Sequence, residues 1–66
     1  MLNNIRVHRA IKNITQAELA ELINVSRQTI NTIESGKYVP STILSLKIAK
    51  VFGVAVEQLF VLEDID

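Results

Sequence analysis

Apolar positions along this chain recur mostly at helical spacing, interrupted by short polar stops. The clearest stretch runs from Thr15 to Glu34 and predicts two short amphipathic helices joined by a tight turn. Thr15 is a good N-cap, and Glu18 three residues on completes a capping box. Leu19, Ala20, Leu22 and Ile23 then recur with helical periodicity, and the small Ala20 suits a close helix crossing. Asn24 tolerates the left-handed backbone that a helix stop needs. Val25 plugs the corner and Ser26 caps the next helix, where Ile30 and Ile33 point one way. Arg27, Gln28, Asn31 and Thr32 point away from them.

The flanking segments continue the helical pattern. Residues Ile5 to about Lys12 predict a first helix with Ile5, His8 and Arg9 facing inward. Val7 and Ile11 fall on a different face, suited to covering a neighbouring element or a partner. Asn13 closes this helix, and Ile14 is a hydrophobic staple before the Thr15 cap. Gly36 supplies the positive φ that ends the third helix, Lys37 to Val39 form a loop, and Pro40 stops helical continuation. Ser41 caps a fourth helix, about Thr42 to Phe52, with Ser45, Ile48, Ala49 and Phe52 inward. Ile43, Lys47 and Lys50 lie on its opposite side, and Gly53 ends it. Ala55 stands where a Ser or Thr cap is expected, so a fifth helix, about Val56 to Leu59, should be short and poorly capped. Phe60-Val61-Leu62 has strand-like character, Leu2-Asn3-Asn4 is a frayed end or a short strand, and Glu63 to Asp66 is expected to be a mobile acidic tail.

With 66 residues there is room for one domain, spanning 1–66, and a chain this short needs an efficient core. Nearly half of the residues are apolar, which supplies one. The absence of cysteine excludes a disulfide framework and a thiolate metal site. No apolar run approaches membrane-spanning length and nothing resembles a signal peptide, so the cytoplasm is the expected compartment. The single histidine, His8, has neither a second metal-ligand type at useful spacing nor a nucleophile beside it. No carboxylates have a reason to converge, and Gly36 and Gly53 read as helix stops, not as a phosphate loop. An enzyme, a metal and a cofactor are therefore not expected. The zero net charge argues weakly against nucleic acid. Its distribution changes that picture, because residues 1–50 carry seven basic and three acidic side chains and residues 51–66 carry four acidic and no basic ones.

A polar-faced helix braced across a first helix by a short turn has the geometry that enters the DNA major groove. The residues Thr15-Gln16, Glu18-Leu19-Ala20, Val25-Ser26-Arg27-Gln28, Ile30, Ile33-Glu34, Gly36-Lys37-Tyr38, Pro40-Ser41 and Lys47-Ile48-Ala49 together resemble the phage-repressor (Cro-like, XRE-type) helix-turn-helix family. The resemblance covers nearly the whole chain and departs from the family pattern at Asn24, where a turn glycine is usual. It implies an all-α, five-helix lambda-repressor-like DNA-binding domain. A small antiparallel strand pair from the two termini would match the short, single-domain cytolysin-repressor type.

Gln28 is the best base reader, since its amide can bond adenine bidentately. Arg27 suits guanine O6 and N7 or a phosphate, Thr32 a thymine methyl, and Asn31 stands beside them. The resemblance places Arg27, Gln28 and Thr32 at groove-facing positions. Phosphate contacts are expected from Thr15 and Gln16 at the start of the second helix, and from Ser35, Lys37 and Tyr38 after the third. The resemblance also implies a largely buried ion pair between Arg9 and Glu34. It further implies a homodimer on a palindromic double-stranded operator, built through Val39, Ile43, Val56 and Phe60, which otherwise look like apolar residues without a place in the monomer core. Phe60 and Val61 alternatively cover Val7 and Ile11 within one chain. No membrane or small-molecule partner is implied. The expected function is sequence-specific transcriptional control, repression before activation. The alternative is a protein-binding helix-turn-helix module such as an antitoxin-like partner, which would carry an apolar outer face where Arg27, Gln28 and Thr32 stand.

Overall fold

A computed structural model describes residues 1–66. In chain order it contains β1 (Leu2–Asn3), α1 (Ile5–Lys12), α2 (Gln16–Leu22), α3 (Arg27–Glu34), α4 (Thr42–Phe52), α5 (Val56–Leu59) and β2 (Phe60–Val61). Local chemistry sets nearly every boundary. Thr15 Oγ1 accepts from the Glu18 amide at 3.0 Å while Glu18 Oε1 accepts from the Thr15 amide at 2.9 Å, the reciprocal box that starts α2. Ser26 and Ser41 accept from the amides of Thr29 and Leu44 at the starts of α3 and α4. Asn13 and Asn24 take left-handed φ values of 56° and 60°, and Gly53, at 67°, ends α4. Two helices lack a side-chain N-cap bond, α1 at Asn4 and α5 at Ala55, although Gln58 Oε1 reaches back to the Ala55 amide at 2.8 Å.

The core is one cluster fed by all five helices. Ile5, Leu19, Ile30, Ile33, Ile48 and Leu59 are fully buried, joined by Ala20, Ile23, Ala49 and Phe52. Ile14 and Val25 pack against its edge, as the staple and corner plug should. Leu44 and Val51 also pack there, which widens the inward face of α4 beyond the residues its periodicity singled out, and Val54 joins them just past the helix end. Leu22, by contrast, is exposed, since α2 ends there and its last side chain clears the turn.

β1 and β2 pair antiparallel, with Leu2 opposite Val61 and Asn3 opposite Phe60. Alternation along so short a ladder sends Phe60 inward and leaves Leu2 and Val61 exposed. This corrects the expectation for two residues. Val56 and Phe60, at the start of α5 and in the strand that directly follows it, are half-buried and packed against the core. Val39 and Ile43 remain exposed. Val7 and Ile11 are also exposed, so neither Phe60 nor Val61 covers them. The acidic tail, expected to be mobile, lies against the start of the chain, with the Met1 ammonium 2.8 Å from Glu63 Oε1 and 3.0 Å from Asp66 Oδ2.

Candidate nucleic-acid interface

The candidate surface is the outer face of α3 and the ground at either side of it. The apolar residues Ile30 and Ile33 fix the opposite face in the core, so Arg27, Gln28 and Asn31 are left exposed together. These three line one shallow hollow. A second hollow is bordered by Arg9, Ala10, Asn13, Ile14, Thr15, Gln16, Ala17 and Arg27, and brings the start of α2 opposite the start of α3. Its floor is the first turn of a helix, whose free amides favour an anion. A third hollow gathers Thr29, Thr32, Lys37 and Tyr38 beyond the other side of α3. Of the expected base-reading residues, Arg27, Gln28 and Asn31 thus lie between Thr15 and Gln16 on one side and Lys37 and Tyr38 on the other, while Thr32 falls in the second flank; the expected phosphate contact Ser35 borders none of these hollows. Thr29 was not foreseen; it shares a 2.9 Å hydrogen bond with the Ser26 hydroxyl, and the i, i+3 spacing from a capping serine was the available signal.

Two hydroxyls are already engaged. Thr32 Oγ1 donates toward the carbonyls of Gln28 at 3.0 Å and Thr29 at 2.9 Å, so its proton is spent within the helix and its methyl remains for an apolar contact. Ser35 Oγ donates to the Thr32 carbonyl at 3.0 Å, leaving its lone pairs but not its proton for a partner. Lys37 and Tyr38 are exposed and unengaged by side-chain bonds.

Behind α3 lies a polar cluster centred on Glu34. Arg9 donates through Nε to Oε2 at 2.6 Å and through Nη2 to Oε1 at 3.0 Å, a bidentate pair. Arg9 Nη1 also donates to the Ile14 carbonyl at 3.2 Å, tying α1 to the entry of α2. The Glu34 side chain is 1% exposed and that of Arg9 15%. Gln16 Nε2 donates to Glu34 Oε1 at 3.2 Å, and Arg6 Nε stands 3.7 Å from the same oxygen. Burial pushes the Glu34 carboxyl up, but the hydrogen bonds from Arg9 and Gln16 and the charges of Arg9 and Arg6 outweigh it and hold the group below its ordinary range. Hydrogen bonding to Glu34 holds the Arg9 guanidinium above its own. Asn3 Nδ2 donates to the Ile33 carbonyl at 2.9 Å, which pins the last turn of α3 to β1. Neither the Gln16 bond nor the Asn3 bond was evident in the sequence, since each joins residues 18 or 30 positions apart.

The expected dimer residues are only partly gathered. Val39 and Phe60 border one small cleft with Tyr38 and Pro40, while Ile43 stands exposed at the start of α4.

Two packed helices, a left-handed turn at Asn24 and a polar outer face on the second helix define a helix-turn-helix domain. Residues 5–59 match the helix-turn-helix family model, and the chain belongs to that family. It is 53% identical over 64 residues to an uncharacterized HTH-type transcriptional regulator of Methanocaldococcus jannaschii, a match covering 97% of each chain. It is 44% identical over 64 residues to the uncharacterized HTH-type transcriptional regulator YgzD of Bacillus subtilis, again with 97% of each chain covered. Among solved structures it resembles the restriction-modification controller protein C.AhdI of Aeromonas hydrophila, with a TM-score of 0.77, 28% identity and coverage of 85% of this chain and 81% of that one. The fold is the five-helix, lambda-repressor-like one with an added antiparallel strand pair.

Proposed function

We propose that this protein binds double-stranded DNA sequence-specifically as a homodimer and regulates transcription in the cytoplasm, as a repressor. The observation that carries the reading is the grouping on α3. Exposed Arg27, Gln28 and Asn31 form a base-reading strip, flanked by Thr15 and Gln16 on one side and by Lys37 and Tyr38 on the other. Phosphate contacts at two flanks would set the register of the helix in the groove, and the strip between them would read base edges. Thr32 contributes its methyl to a thymine, and Ser35, whose proton is held by the Thr32 carbonyl, must turn from it to donate to a phosphate. The names of the Methanocaldococcus and Bacillus relatives, and that of the controller protein, support transcriptional control. Repression follows from economy, since occupying a promoter requires no further surface. The strand pair supports placement with the short cytolysin-repressor type.

Dimerisation supplies what one strip lacks. A single reading helix spans only a few base pairs, and a two-fold pair reads a palindrome with half-sites about 34–36 Å apart. Exposed Val39 and Ile43 are the anchors for that contact, joined by what remains accessible of Phe60, which shares a cleft with Val39, and of Val56. No catalysis, cofactor or metal is part of the proposal. A protein-only module would need an apolar outer face on α3, and Arg27, Gln28 and Asn31 give it none. The test is selection of bound sites from random duplex DNA followed by sedimentation of the complex. A recovered palindrome bound by two chains supports the reading, and recovery of no preferred sequence refutes it.

A further inference from the structure

The amides of Gln16 and Asn31 form a chain whose polarity is fixed from its buried end. Glu34 is an ionised carboxylate and can only accept. Gln16 lies 3.2 Å from Glu34 Oε1, so it must turn its NH₂ group toward that oxygen; the carbonyl end would face a negative charge. The same nitrogen lies 3.3 Å from the Asn31 amide oxygen. With its two protons directed at Glu34 and Asn31, Gln16 can meet Asn31 only as a donor, and Asn31 must offer its carbonyl in return. The Asn31 NH₂ group is then left on the exposed face of α3, in the hollow it shares with Arg27 and Gln28. Free asparagine is ambivalent, since rotating its amide by half a turn exchanges donor and acceptor. Here the exchange would set two NH₂ groups against each other.

We propose that Gln16 is a positioning residue that fixes the polarity of Asn31, so that Asn31 presents a hydrogen-bond donor to the major groove and selects a base edge carrying an acceptor. This rests on the DNA-binding reading above. At one position of each half-site the protein would accept guanine O6 or thymine O4, and would reject the amino group of cytosine N4 or adenine N6. The preferred contrasts are thymine over cytosine and guanine over adenine, where an acceptor replaces a donor at nearly the same point in the groove. The buried pair at Arg9 and Glu34 would thereby act on sequence choice through Gln16 as well as on stability.

The experiment selects duplexes with the wild type and with Asn31→Ala, Gln16→Met, Gln16→Lys and Asn31→Asp, then measures affinities for single-pair changes. Asn31→Ala identifies the pair that Asn31 reads. At that pair the wild type should favour the acceptor base by at least about fivefold. Gln16→Met removes the donor and should bring that ratio close to one, with any loss at the phosphates spread evenly over all sequences. Gln16→Lys offers only donors and should restore the ratio, which a merely structural role for residue 16 would not predict. Asn31→Asp offers only acceptors and should invert the preference toward cytosine or adenine. Thermal melts confirm that each variant is folded, and the capping box of Thr15 and Glu18 is untouched in all of them. The inference is overturned if Gln16→Met keeps the wild-type ratio, if Asn31→Asp retains the acceptor preference, or if Asn31→Ala alters no pair. In each of these cases a wild type that still selects a defined site leaves the DNA-binding function standing. A wild type that selects nothing overturns that function and this inference with it.

Discussion

Replacing Arg9 by methionine should do more than weaken the fold; it should reverse part of its response to pH. The substitution keeps much of the aliphatic bulk and deletes both bonds of the bidentate pair, leaving Glu34 with a side chain 1% exposed and only Gln16 and the distant Arg6 as partners. Breaking a buried ion pair by removing one partner costs about 3–5 kcal/mol, and the remaining donors argue for the lower end, about 3 kcal/mol. A domain of this size holds roughly 3–10 kcal/mol in all, and each kilocalorie corresponds to about 4–8 °C in melting temperature. A fall of about 12 °C or more at neutral pH is therefore expected. In the wild type the Glu34 carboxyl sits below its ordinary value of 4.5, so its contribution is complete above that value and is lost as pH falls through the lower folded pKa. Without Arg9, burial, the largest single influence, is opposed by less, and the carboxyl moves upward. A raised carboxyl contributes its stability at low pH and loses it as pH rises. The gap between wild type and Arg9→Met should thus narrow on acidification below 4.5. Melting temperatures followed by circular dichroism between neutral and strongly acidic pH test this. Equal melting at neutral pH, or a gap that stays constant through the acid range, would show that the pair is not what holds α1 to α3.

Gln28→Ala should weaken binding to the selected site by about 1–3 kcal/mol with little effect on non-specific DNA, whereas Arg27→Ala should lower both, as gel-shift titrations on specific and random duplexes would show. Ile43→Asp should produce a folded monomer in sedimentation at micromolar concentration that has lost the palindrome; Val56→Asp is expected instead to melt early, because Val56 is partly core. An Asn24→Ala chain should lose about 1–2 kcal/mol in denaturant unfolding, since alanine lacks the short polar side chain that eases a φ of 60°.

What was legible in the sequence was local chemistry. The caps at Thr15, Ser26 and Ser41 and the stops at Asn13, Asn24, Gly36 and Gly53 each depend on atoms within a few residues, so a linear reading reaches them. The strip of Arg27, Gln28 and Asn31 was legible because the 3.6-residue period forces it opposite Ile30 and Ile33. Two other placements depended on tertiary register. Val56 and Phe60 look like spare apolar residues until the pairing of Asn3 with Phe60 turns β2 inward. Gln16 looks like a plain phosphate contact until the packing of α2 on α3 brings it to Glu34 and Asn31.

The zero net charge looks ill suited to a polyanion, yet the structure separates the charges so that the sum is the wrong quantity. Near the proposed surface Arg9 is consumed by Glu34, and the exposed cations flanking or within the reading strip are Arg27 and Lys37. On the acidic side, Glu63 and Asp66 are held by the Met1 ammonium. Each cation that neutralises a phosphate releases counterions, and log affinity falls with log salt by about 0.9 per phosphate neutralised. Two cations per protomer and two protomers give about four phosphates, hence a slope near −3.6. Thr15 and Tyr38 through their hydroxyls, and Gln16 through its backbone amide at the start of α2, can hold phosphates as neutral donors without adding to it. Titrations between about 50 and 200 mM salt measure this slope. Lys37→Gln should reduce its magnitude by about 1.8 in the dimer, while Glu63→Gln should leave it nearly unchanged. A wild-type slope near zero would mean that the opposed charges cancel at the DNA after all, and a Lys37→Gln slope equal to that of the wild type would remove Lys37 from the phosphate contacts.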